Sequence, residues 1–325
     1  MAFVSPAAVL SCMARTSLIT PVRSASNRMS SMVSGLEKSA PILRFPSLRE
    51  SVYNEIVNYN DLKGTAWQRF PALTKILKGH RRGELTIISG PTGSGKTTFL
   101  SESSLDLCLQ GVKTLWGSFE IKNARLCKLM LTQFAQTRIE YDIESFSKYA
   151  DAFSCLPMHF MDFHGEQSLS SVLETMSAAV ANCDIHHVIL DNLQFMIGNE
   201  CNSRLSHMNR FEYQDLIIGS LRKFATEHDC HVTIVIHPRK QKLDEELTNS
   251  SIFGGAKAIQ EADNIFLLQV RYLTGSSFKF RKFLQVTKNR FDGDLGLIPL
   301  SFDKETLSFG SPTQSPTQSG FSLTL

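Results

Sequence analysis

The chain has 325 residues, enough for one large domain or two small ones, and its 42% hydrophobic and 20% charged composition excludes a wholly disordered protein. Seven cysteines, odd in number and without a C-x-x-C pair, argue against a disulfide scaffold or zinc ribbon and fit a reducing compartment. No run approaches the about 18 apolar residues of a membrane-crossing helix, and the net charge of +3 comes wholly from the N-terminus.

Residues 1–36 hold Arg15, Arg23, Arg28, eight serines and no acid, the composition of a mitochondrial transit peptide, though an ordinary N-terminal tail can share it. The remaining 289 residues balance 31 basic against 31 acidic side chains. Such a neutral body must hold any polyanion through local clusters. Pro41–Pro46 reads as a linker, and Leu48–Tyr59 places Val52, Ile56 and Val57 at helical spacing. Residues 37–62 are therefore expected to form a linker and a helix that docks either on its own domain or on another subunit.

From Glu84 the pattern alternates. Strands are expected at Leu85–Ser89, Thr114–Phe119, Met158–Phe163, Val188–Leu190 and Val232–Ile236, with helices at Gly95–Gln110, Ala124–Ala135 and about Asn209–Glu227. This order predicts an α/β fold with a mostly parallel central sheet. Beyond Asp263 the helices stop, and Ile265–Val270, Phe280–Val286, Leu297–Phe302 and Thr306–Phe309 read as C-terminal β-hairpins extending the sheet. The domain is expected to span 63–309, and the repeat within 310–325 to be a disordered tail.

Gly90-Pro91-Thr92-Gly93-Ser94-Gly95-Lys96-Thr97 matches G-x-x-x-x-G-K-[ST] between a predicted strand and a predicted helix, with Thr98 next. Its glycines let backbone N–H groups close on phosphate oxygens, Lys96 reaches the β- and γ-phosphates, and Thr97 ligates Mg²⁺. Asp191 ends a buried strand at the same sheet edge, either as the residue that organises Mg²⁺ or as a cap of the next helix. Glu120 follows the strand after the loop's helix, either as a base for the attacking water or as an ordinary strand-end glutamate. His237 ends another strand, as a γ-phosphate sensor or a structural histidine. Arg239, Lys240 and Lys242 follow it, and Gly254, Gly255 and Lys257 come next; these loops either grip a phosphate backbone or are merely solvated. Lys288 and Arg290 at a turn suit an arginine finger offered to a neighbour's nucleotide.

Taken together, Trp67–Pro71, Leu77–Arg81, Gly90–Thr98, Leu115–Glu120, Asp191–Met196, Ile236–Lys240, Ser251–Asp263 and Lys288–Asp294 resemble the Twinkle-like mitochondrial replicative helicases. These belong to the DnaB and phage helicase-primase superfamily with a RecA-like core. The resemblance covers about residues 48–309. It implies ATP and Mg²⁺ at Lys96, Thr97 and Asp191, catalysis by Glu120, sensing by His237, and Arg290 with Lys288 acting in trans. It also implies nucleotide contacts from Gln260, Phe302 on the adenine, and Arg271 on the other face of the base.

The function implied is an ATP-driven 5′→3′ DNA helicase moving on single-stranded DNA as a roughly hexameric ring in the mitochondrial matrix and nucleoid. Its partners would be single-stranded and forked DNA, the mitochondrial DNA polymerase and a single-stranded DNA-binding protein. No zinc-binding cysteine set or second catalytic region is present, so primase activity is not expected. A RecA-type recombinase and a non-unwinding organellar DNA-binding protein remain as alternatives.

Overall fold

The computed structural model describes residues 42–59, 62–163, 165–197, 210–239, 246–253, 255–272 and 280–310. The expected transit peptide, the C-terminal repeat, and Lys240, Lys242 and Gly254 lie outside the described residues. Helix α1 (Phe45–Val57) buries none of its side chains. It crosses the division between a first compact unit ending at Val52 and a second beginning at Tyr53.

In the second unit the chain runs α2 (Pro71–Leu77), β1 (Leu85–Ser89), α3 (Lys96–Leu109), β2 (Thr114–Ser118), α4 (Asn123–Ala135) and α5 (Phe146–Ser154). It continues through β3 (Met158–Phe160), α6 (Leu169–Cys183), β4 (His187–Asp191), α7 (Gln194–Ile197), α8 (Arg210–Glu227) and β5 (His231–Val235). Last come α9 (Gly255–Glu261), β6 (Asn264–Tyr272), β7 (Phe280–Asn289), β8 (Gly296–Asp303) and β9 (Ser308–Gly310). The strands form one sheet in the order β3-β2-β4-β5-β1-β6-β7-β8-β9. Pairing is parallel from β3 to β6 and antiparallel from β6 to β9. The expected hairpin extension is therefore present. The third strand stops at Phe160 rather than Phe163, and β7 runs through Lys288 and Asn289, which sequence alone puts at a turn.

Strands β1, β2, β4 and β5 are buried along their whole lengths, the pattern of parallel strands covered by helices on both faces. Period-two alternation divides the core. Leu85, Ile87, Val188 and Leu190 face Val172, Met176, Ile217 and Leu221, whereas Ile88, Trp116 and Ile189 face Leu73, Phe99, Leu126 and Met130. Among the described residues, no helix is long and apolar enough to cross a membrane.

Helix α3 is buried even along its polar side, where Ser101, Glu102, Ser103, Ser104 and Asp106 are covered. Their partners fasten distant elements to it. Ser101 donates to Gln133 of α4 at 2.9 Å, Trp116 of β2 donates to Ser104 at 3.2 Å, and the Phe309 N–H of β9 donates to Glu102. Arg69 stands 3.6 Å from Glu102. Burial nevertheless pushes the Glu102 carboxyl up to about 7, against the opposing Phe309 and Arg69 contacts.

Because the folded protein holds that proton more tightly than the unfolded chain, stability should fall as pH rises from about 4.5 to about 7. Glu102→Gln removes this ionisation while keeping an acceptor for Phe309. Between pH 5 and 8 the wild type is expected to lose up to about 3 kcal/mol more than the variant. Parallel denaturant titrations in two buffers would measure the difference, and identical pH slopes would contradict the assignment.

Candidate functional site

The parallel strands bring four chain segments to one edge of the sheet. The phosphate loop leaves β1 at Ser89, Glu120 follows β2, Asp191 ends β4, and His237 follows β5. Ser118 and Asp191 are direct partners in the β2–β4 register. Between these ends lies a cavity of about 270 Å³ lined by Thr92, Gly93, Gly95, Lys96, Thr97, Thr98, Glu120, Asp191 and His237.

Gly95 caps α3 at φ +102°, a left-handed conformation that glycine adopts without a Cβ penalty. A Cβ there would stand 2.8 Å from the Phe309 ring. Lys96 donates to the carbonyls of Gly90 at 2.8 Å and Pro91 at 3.0 Å. Burial lowers its pKa, while Asp191 and Glu120 act in the opposite sense. The Ser94 hydroxyl is buried without a partner.

Thr97 donates to Asp191 Oδ2 at 2.6 Å. Burial raises the Asp191 carboxyl to about 6; Thr97 and Lys96 pull it down, while Glu120 pushes it further up. A hydroxyl beside a carboxylate is a hard-oxygen pair of the kind Mg²⁺ takes. The buried ammonium and the unpartnered Ser94 hydroxyl suit phosphate oxygens. The residues present therefore fit a nucleoside triphosphate with Mg²⁺.

A second polar group borders this pair. Asn192 Nδ2 donates to Glu120 Oε2 at 2.7 Å and to His237 Nε2 at 2.9 Å, and its Oδ1 accepts from the Gln194 N–H at 3.1 Å. Glu120 and His237 approach to 3.9 Å. Burial lowers the His237 pKa, helped by Lys96 and opposed by Glu120, so the ring is held in the neutral form that accepts from Asn192. Sequence reasoning assigned no role to Asn192 or Gln194; the available signal was the polar residues directly after the strand-ending aspartate.

Beyond His237, Pro238 bridges Ile252 in antiparallel fashion, and the Arg239 N–H donates to the Ser251 carbonyl at 2.7 Å. The two candidate DNA loops are thus adjacent where they are described. Gly255 opens α9, while Lys257 pairs with Glu261 at 2.7 Å.

On the hairpin side, Phe302 is half-exposed, packs 5.3 Å from Phe309, and borders a cleft of about 570 Å³ with Arg281, Lys282 and Phe283. Lys282, another residue unassigned from sequence, donates to the Ser94 carbonyl at 2.7 Å. Arg271 pairs with Glu246 at 2.7 Å and lies over Phe283, which borders the same cleft as Phe302.

Arg290, Lys288 and Gln260 occupy the opposite edge of the sheet. Asn289 pairs with Asn264 at the beginning of β6, and Asn264 pairs with Thr86 near the beginning of β1. There Arg290 binds Asp263 Oδ1 at 3.0 Å and the Gln260 carbonyl at 2.8 Å. Lys288 donates to the carbonyls of Ile259 and Gln260. None of the three is brought to this chain's own phosphate loop.

A family model described as an AAA domain matches residues 57–242. A curated relative, the Twinkle homolog protein, chloroplastic/mitochondrial, of Arabidopsis thaliana, is 26% identical over 306 residues, covering 86% of this chain. The chain spans only 41% of that relative's length. Among solved structures, one described as an ATPase domain matches with a TM-score of 0.70 and 21% identity, over 82% of this chain and 98% of that one. A DnaB-like replicative helicase, described with its primase interactions, matches with a TM-score of 0.68 and 20% identity, over 83% and 67%. The expected RecA-like ATPase architecture is therefore the observed fold.

Gly95→Ala should cost about 1–3 kcal/mol, because it forces a side chain into a left-handed site against Phe309. Urea denaturation would register the loss, and a variant as stable as wild type would show that the loop and β9 yield freely.

Proposed function

The chain belongs to the AAA domain family, and on that premise we propose that it is an ATP-hydrolysing DNA helicase motor of the DnaB type, working as a ring on single-stranded DNA. One observation carries the reading. The phosphate loop and its polar partners share one sheet edge, whereas Arg290 stands at the other, beyond reach of its own chain's nucleotide. In a ring of copies, an arginine so placed can serve the phosphates of a neighbouring chain. The chloroplastic/mitochondrial name of the Arabidopsis relative and the acid-free N-terminus support an organelle, and the Twinkle-like resemblance supports mitochondrial DNA replication with 5′→3′ movement. A single-stranded DNA-binding protein and the mitochondrial polymerase are the partners such work requires.

The loop N–H groups and Lys96 hold the phosphates, and Thr97 with Asp191 holds Mg²⁺. Bound ATP·Mg²⁺ supplies the phosphoanhydride and the neutralising cation. Glu120 takes a proton from the attacking water, with Asn192 fixing the carboxylate. His237 registers loss of the γ-phosphate and passes the change through Pro238 to the paired loops at Arg239 and Ser251, where DNA is gripped. Arg290, assisted by Lys288, stabilises charge on the neighbour's transferring phosphoryl group. Phe302 stacks on the base. The exposed apolar residues Val52, Ile56 and Val57 of α1 serve subunit docking.

Lys96→Ala should abolish hydrolysis. Arg290→Ala should lower turnover by about 10³-fold or more while ATP still binds, and Glu120→Gln should be inactive for want of a base. Mixing the last two variants builds interfaces that carry both intact groups, so DNA-stimulated ATPase activity should return in part. Normal turnover by Arg290→Ala alone, or co-assembly without recovery, would refute the shared site. Forked-duplex unwinding, with rings in electron micrographs, distinguishes a helicase from a filament-forming recombinase or a non-unwinding binder.

A further inference from the structure

At the sheet edge away from the phosphate loop, three histidines with Thr86 and Thr233 form the polar side of a void of about 20 Å³, whose other side is apolar, with Trp67 and Phe266 among its residues. His187 and His231 open β4 and β5 and are direct partners in the parallel register. His80 arrives from the segment before β1, where it bridges Thr65. All three are buried, with ring centroids 4.1 Å apart for His80–His231, 4.4 Å for His80–His187 and 5.2 Å for His187–His231. One nitrogen of each ring lies within 4.8 Å of the others.

The hydrogen bonding leaves two of the three ligand atoms free. His80 Nε2 and His187 Nδ1 are buried without partners, which is costly for polar groups unless something occupies the space between them. His231 Nδ1 donates to the Arg81 carbonyl, so its Nε2 is an acceptor, taken up by the Thr86 hydroxyl at 2.9 Å. His187 Nε2 is held by Thr233 at 2.9 Å. Such partners orient imidazoles that bind metals. Burial lowers all three pKa values, favouring the neutral form that ligates. Asn264 donates to Glu84 at 2.9 Å and to Thr86 at 3.2 Å, linking a compensating carboxylate to the group.

We propose that His80, His187 and His231 form a structural site for one zinc-class divalent ion, tying the segment before β1 to the starts of β4 and β5. Three imidazoles and one water satisfy a four-coordinate ion, and the void has room for about one such particle. Zinc–nitrogen bonds of about 2.0–2.1 Å require the rings to leave their present packing, 30° from parallel at 4.1 Å for His80 and His231, so that the nitrogens converge, and the Thr86 hydroxyl to give up its hydrogen bond to His231. This site is independent of the nucleotide and of helicase activity.

The test strips the full chain with a chelator and titrates it with Zn²⁺ or Co²⁺ without nucleotide. One tightly held ion per chain by elemental mass spectrometry, intense four-coordinate cobalt absorption and a higher melting temperature are expected. His80→Gln and His187→Asn should each weaken uptake by more than about tenfold, while Asp191→Asn, at the other edge, leaves it unchanged. An unchanged circular dichroism spectrum with a cooperative urea transition certifies that the variants are folded; should one not fold, the wild-type titration alone decides. No stoichiometric uptake by wild type at micromolar zinc means a water-filled void and overturns the proposal. So does a weak six-coordinate cobalt spectrum, uptake abolished by Asp191→Asn, or undiminished uptake in folded histidine variants.

Discussion

The 2.6 Å hydrogen bond from Thr97 to Asp191 fastens the first turn of α3 to the end of β4, and the arrangement of the candidate site depends on it. Asp191 is buried, so its carboxyl needs donors or counter-charge to remain ionised. Thr97 and Lys96 provide them, while Glu120 opposes them. Strand order then fixes the neighbourhood. Strand β4 lies between β2 and β5, so Glu120 and His237 leave the sheet on either side of Asp191. Asn192 is the next residue along the chain and reaches both.

The same sheet separates two kinds of chemistry. Parallel strands send the groups suited to phosphate and metal to their C-terminal ends, the usual ligand edge of open α/β sheets. Hairpin strand β7 runs the other way and returns Lys288 and Arg290 to the strand starts. Lys282, earlier on β7, stays with the phosphate loop through the Ser94 carbonyl. One antiparallel strand therefore touches its own nucleotide edge at one end and offers cations outward at the other, as the proposed head-to-tail ring requires.

Much of this was legible from sequence because it is local. The phosphate loop is a contiguous motif, and the buried strands announce themselves as β-branched runs; β1, β4 and β5 lie within a residue or two of their expected bounds. Asp191 ends β4 as expected, whereas His237 stands two residues beyond the end of β5. Helix α2 went unassigned although Pro71 stands at its first turn, since seven residues give too little periodicity. Asn192, Lys282 and the three histidines are different in kind. Their environments arise from strand register and from contacts across 45 to 188 residues of chain, which no spacing rule reports. For Arg271 the preference for Glu246 and Phe283 is likewise a tertiary outcome.

The contacts of Arg290 bear on how an arginine can serve a neighbour without destabilising its own subunit. Its partner Asp263 is buried, and stripping the last counter-charge from a buried carboxylate is strongly destabilising. Here Asp263 does not depend on Arg290 alone. Its Oδ2 accepts from the Leu85 N–H at 2.8 Å and meets Arg222 at 2.8 Å, while Arg290 takes Oδ1 at 3.0 Å. Arg290 is half exposed and Arg222 more covered. The outer pair is half exposed on its arginine side, while the inner pair and the backbone donor keep the carboxylate satisfied. Under the proposed trans role, Arg290 leaves Asp263 and the Gln260 carbonyl for a neighbour's phosphate, and Arg222 with the Leu85 N–H keeps the buried carboxylate partnered in its absence.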